Sequence, residues 1–201
     1  MLRVLIAIAA LAATARADVD WARGLVTARG VGLADRHAPN PAVARGTARR
    51  RAEDAARAAI AKQLPDLPLA AGGRVVDKLD AKAIAALGHL IVLDAAPETD
   101  GSWRVELALP IEAIRQAIVG ARELPRTGDA GPAAIVVAGA RATPSVGWSA
   151  NGAPVATIFV RDVPAWAASA PRARGRVAKP GEIAIDGMTA TAATLIVIVT
   201  P

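Results

Sequence analysis

Asn40-Pro41 and Pro65 bracket the segment that most restricts how this chain folds. Asparagine is a preferred helix N-cap, and proline fits the first helical position, where its missing N–H costs nothing. Pro65 forbids continuation, so the sequence predicts a helix over 41–63. Ala44, Ala48, Ala52, Ala55, Ala56 and Ala59 recur at three- and four-residue intervals, joined by Ile60 and Leu64. A face made of methyl groups lets the helix lie close against a sheet. The other face carries Arg49, Arg50, Arg51, Glu53, Asp54 and Arg57. The pairs Arg49–Glu53, Arg50–Asp54 and Glu53–Arg57 are each four apart and contribute about 0.2–0.5 kcal/mol apiece. The arginine triplet reads either as an anion or membrane-surface patch or, the preferred reading, as a solvated face paired within itself.

The first seventeen residues read as an export signal. Arg3 gives a positive start, Leu5 to Ala13 an apolar stretch too short to span a bilayer, and Ala15-Arg16-Ala17 a small-x-small cleavage site, with cleavage after Ala17. The expectation is a periplasmic or secreted bacterial protein without a lipid anchor, since no cysteine follows the site. Removing Arg3 and Arg16 lowers the formal charge from +6 to +4, well short of a dedicated nucleic-acid binder. The chain has no cysteine, so it has neither disulfides nor thiolate chemistry. With four Trp and one Phe, its core must be built from Ala, Val, Ile and Leu.

Trp21 to Leu33 reads as a strand with glycine irregularities, and Arg74 to Lys78 as a short strand. Asp80 caps a short helix ending at Gly88. Leu90 to Ala95 and Trp103 to Leu109 form a hairpin around Asp100-Gly101, and Pro110 starts a second amphipathic helix through Ile111, Ile114, Ala117 and Ile118. The fold class is therefore α+β: a long Ala-rich helix and a second helix packed on a mostly antiparallel sheet over 18–123. A linker at 124–132 leads into a β-rich part at 133–201, either a separate module or an extension of the first sheet. Its strand-like stretches are Ala134 to Ala138, Pro154 to Arg161, Glu182 to Ile185 and Ala193 to Thr200, with Ser149 to Gly152 as a turn.

Val19 to Leu64, the hairpin DGSWRVELALP at 100–110 and the stretch AAIVVAGARATPSVGWSANGAPV at 133–155 resemble the LPP20 lipoprotein-like family of bacterial envelope proteins. That family is related in pattern to the amino-terminal domain of flagellar assembly protein T. The resemblance implies a non-catalytic envelope protein with a protein partner, accessory to envelope or flagellar assembly. It carries over no catalytic residue, and the lipobox cysteine of the lipoproteins is missing here.

The residues themselves point to no catalytic, cofactor or metal constellation. His37 and His89 stand apart without HxxxH or HExxH spacing, and no GxSxG elbow or phosphate-binding P-loop occurs. Ala71-Gly72-Gly73 reads as a turn. Asp94, Glu98 and Asp100 cluster near the hairpin tip, where solvated acids are commoner than a cation site. The remaining candidate is Pro171 to Lys179, read as a flexible loop in which Arg172, Arg174, Arg176 and Lys179 stand without an acid. It is either a solubilising loop or a contact for lipid headgroups, anionic polymers or an acidic partner. The polymer-binding alternative requires the four cations to gather on one face with Trp148 or Trp166, although both tryptophans read better as buried anchors.

Overall fold

The computed structural model describes residues 16–35, 37–87, 90–120 and 132–200. The expected signal is therefore outside the described residues except for Arg16 and Ala17, as are His89 and nearly all of the expected linker. The fold is α+β, as the sequence predicts.

Strand β1 (Ala17–Asp20) turns into β2 (Leu25–Gly32), which leads to helix α1 (Pro41–Gln63). Of the strand expected over Trp21 to Leu33, Leu25–Gly32 is strand, and 21–24, with Gly24 at φ +66, is the turn joining it to β1, so that Ala17 pairs with Ala28. Asn40 caps α1 by accepting from the Val43 N–H at 3.0 Å. A short helix, α2 (Ala81–Ala86), is capped by Asp80 in the same way at 2.7 Å. The hairpin β3 (Ile91–Pro97) and β4 (Trp103–Pro110) follows, and then α3 (Ile111–Val119). These strands make an antiparallel sheet in the order β1-β2-β4-β3.

Arg74 to Lys78 is no strand. Val75–Asp77 is a single 3-10 turn, because the Asp77 carboxylate accepts the Arg74 N–H at 2.7 Å and closes the chain locally. Its β-branched pair splits, with Val75 fully buried and Val76 exposed.

Helix α1 covers the face of the first sheet formed by Val26, Ala28, Val105, Leu107 and Leu109. Ala48, Ala52, Ala56 and Ala59 are buried as the stripe requires, while Ala44 and Ala55 lie half-buried at its margin. The contact is closest at Gly30 and Gly32. A Cβ on Gly30 would stand 2.0 Å from the Ala52 carbonyl oxygen, and one on Gly32 1.9 Å from that of Ala48. Glycine is thus required on the strand where alanine is required on the helix.

The rest of the chain forms a second, seven-stranded sheet in the order β7-β6-β10-β9-β5-β11-β8. In chain order these are β5 (Ala134–Ala138), β6 (Ser149–Ala150), β7 (Ala153–Pro154), β8 (Ala156–Val160), β9 (Arg172–Lys179), β10 (Glu182–Ile185) and β11 (Leu195–Val199). It curls around its own core of Ile135, Val137, Trp148, Phe159, Ile183 and Ile198. Strands β8, β11, β5 and β9 run parallel, so long connections cross the sheet between them. One of these, 161–171, lays Ala167 over Val136, Val160 and Val197 on the outer face.

The two sheets are separate but tied. Ala70 N–H donates to the Val146 carbonyl at 2.8 Å, Val146 N–H to that of Pro68 at 2.9 Å, and Phe159 N–H to that of Trp21 at 3.0 Å. The Trp21 and Phe159 rings meet edge to face at 6.1 Å. Among the described residues, no helix is long and apolar enough to cross a membrane.

Candidate functional site

The segment 172–179, expected as a flexible loop, is strand β9, held between β5 and β10. Pro171, Gly175 and the charges suggested a loop, yet the segment has the period of a strand. Ala173 packs on the inner core, and a Cβ at Gly175 would meet Val137 Cγ1 at 2.5 Å. Residues 173 and 175 therefore face inward. Alternation sends Arg172, Arg174 and Arg176 to the outer face, about 6.6 Å apart along the strand.

All three arginines are exposed, and none has an ion-pair partner among the described residues. Their cross-strand partners are Val136, Ala138 and Ala184, so the guanidiniums rise from a floor of small apolar side chains. Beside Arg174 and Arg176 an open depression of about 410 Å³ is bordered by Ala138, Gly139 and Asp186.

Lys179 reaches the same face because a bulge shifts the register between Glu182 and Ile183. It is already engaged: Nζ lies 2.8 Å from the Glu182 carboxylate, and that hydrogen bond raises the lysine above its ordinary pKa. The structure thus brings four cations to one face and leaves three without a counter-ion among the described residues. Of the two expected aromatics, one is buried and one exposed. Trp148 is buried in the inner core with its indole N–H unpartnered among the described residues, whereas Trp166 is 59% exposed on the crossover and does not serve as a buried anchor.

Of the three ion pairs expected along α1 only Arg49–Glu53 forms; among the described residues Arg50 and Arg57 are exposed without one, while the remaining charged candidates are engaged. Arg49 pairs with Glu53 at 2.9 Å and stacks over Trp103 at 5.6 Å, while Arg51 lies 3.3 Å from the Leu33 carbonyl and 3.9 Å from Asp35. Glu98 and Asp94 both face Arg104, at 2.9 and 4.0 Å. Asp100 accepts from the Ser102 hydroxyl and N–H, which together lower its pKa. Gly72 and Gly73, both at positive φ, form the expected turn. His37 is exposed, its N–H bonded to Asp35 at 2.9 Å. Among the described residues, no three His, Cys, Asp or Glu side chains converge as metal ligands.

Sequence reasoning passed over one feature, a cleft between the two sheets. Arg115 on α3 forms part of its wall and is the one buried charged side chain among the described residues. It is held by two hydrogen bonds to Glu112, at 2.7 and 2.6 Å. Their three-residue spacing was the available signal.

No family model matches the chain, and no curated protein matches it.

Proposed function

We propose that this chain is an exported, non-catalytic protein of the bacterial envelope that works by contact, and that the row Arg172, Arg174 and Arg176 is where it holds a polyanion. The unpaired alternation of three guanidiniums on one strand face is the observation that carries the reading. A fixed strand holds the three charges at a regular spacing, so a linear partner with repeated acidic groups meets them without the cost of ordering a loop. Acidic envelope polymers and anionic headgroup surfaces share that chemistry; the modest net charge disfavours nucleic acid. The resemblance to the LPP20-like proteins supports the compartment and a role without chemistry.

Binding to immobilised dextran sulfate, read at about 50 and 300 mM salt, tests the row. Changing the three arginines together to Ser is expected to weaken binding more than about ten-fold and flatten its salt dependence. Lys179→Ser, whose charge Glu182 already balances, should stay within about two-fold. Equal binding by the triple variant would remove the reading.

A protein partner is supported by a separate observation. β3 is an edge strand on which Ile91, Val92 and Leu93 are 47%, 49% and 37% exposed, an apolar stretch of the kind that docking surfaces use. Capture of an envelope protein by the wild type and the triple variant, but not by Val92→Lys, would favour it.

A further inference from the structure

The cleft between the sheets has a volume of about 400 Å³, within the range of small-ligand sites. Leu25, Ile111, Ile158 and Leu195 give it apolar walls, and Ala156, Ala192 and Ala193 keep it open where larger side chains would fill it. One wall is the edge of the second sheet, since β8 is its last strand. Phe159 turns its N–H away from β11 to reach the Trp21 carbonyl. Backbone direction repeats every second residue, so Thr157 turns its N–H and C=O to the same side, where they have no partner among the described residues. The cleft therefore holds an open strand position.

Its charge is uneven. Glu112 is the acid in the lining, and its carboxylate already accepts from Arg115 Nε and Nη2 and from Gln116 Nε2 at 2.9 Å. Arg23, on the same lining, has only Asp20, at 4.0 Å, as an ion-pair partner among the described residues. The N-terminus of α3 borders the cleft at Pro110 and Ile111, with the Ile111 N–H taken by the Gly24 carbonyl at 2.8 Å and Glu112 in its first turn, so Arg23 is the charge left for a ligand. An open strand edge, small apolar walls and an under-compensated guanidinium together define one ligand chemistry. We infer that the cleft receives the carboxyl-terminal end of an extended peptide with small aliphatic side chains. The peptide main chain bonds Thr157, its apolar side chains lie against Leu25 and Ile158, and its carboxylate meets Arg23.

Fluorescence anisotropy of a short dye-labelled alanine–valine peptide with a free carboxylate, set beside its C-terminal amide, tests this. The amide should bind about ten-fold more weakly. Arg23→Gln, a change at an exposed side chain, should abolish that difference, and Ala193→Trp should block both peptides. The triple arginine variant of β9 should bind like the wild type, which separates this site from the polyanion row. No binding, equal binding of amide and acid, or indifference to Arg23→Gln would overturn the inference. Displacement of the peptide by decanoate at matching affinity would also overturn it, because a fatty acid has no main chain to add to Thr157.

Discussion

Beneath α1 the first sheet presents Gly30 and Gly32, where the second sheet fills its interior with Ile135, Ile183, Ile196 and Ile198. The first core is thin: helix backbone and strand backbone nearly touch, and Ala48 and Ala52 are the spacers. The second is thick, made of branched side chains from a sheet curled on itself. Apolar burial supports both, at about 25 cal/mol per Å². They differ in what they tolerate. The thin core has no room for added atoms, and the thick one has none to lose.

The largest effect is expected where that contrast is sharpest. Gly30→Val would drive a side chain into the Ala52 carbonyl, which the helix cannot move, and should cost more than about 4 kcal/mol in urea unfolding. A loss below about 1 kcal/mol would show that the helix slides away and that the close approach is not required. Ile198→Ala tests the other core by removal. It should cost about 3 kcal/mol, whereas removing a methyl from the thin core with Ala52→Gly should cost about 1. Equal losses from the two changes would erase the distinction.

The cap is comparable to that last change. Asn40→Ala removes the bond to Val43 and should cost about 1 kcal/mol, seen as faster amide exchange confined to the first turn of α1. The smallest effect is at the tip of β3 and β4. Asp100 titrates below its ordinary 3.8 because Ser102 hydrogen-bonds its charged form. A depressed carboxyl contributes fully above 3.8 and loses that contribution as pH falls through the folded value. The Ser102 amide resonance should therefore titrate with a midpoint below 3.8, while reporters in the curled sheet stay unchanged.

Much of the first unit was legible because its signals are local. Asn40, Pro41 and Pro65 mark α1, Asp80 marks α2, and the alternation of Trp103, Val105, Leu107 and Leu109 marks β4. Arg74 to Lys78 was misread because a β-branched pair outweighed the Asp77 carboxylate that curls the backbone there. In the second unit, β5 and β10 were found at their observed bounds, yet their parallel and antiparallel partners could not be assigned from sequence.

The arginine row shows the same division at the candidate site. Arg172, Arg174, Arg176 and Lys179 stand out in the sequence as a basic stretch without an acid, but Lys179 pairs with Glu182, and Gly175 and Pro171 give a strand the look of a loop. Gly175 is there because Val137 occupies the space its side chain would need, a neighbour 38 positions away in the chain. Lys179 could not be separated from the arginines until the bulge placed it against Glu182.

What the sequence determined by itself was the set of elements ruled by nearest neighbours: caps, breaks, helical stripes and the two-residue alternation of an isolated strand. Only the tertiary structure decided which strands pair, which face of β9 meets solvent, and that Arg23, Arg115 and Thr157 share one cleft. The reason is physical. Capping and periodicity act over a few residues, whereas sheet partnership and burial depend on segments that meet only after the chain has closed long loops.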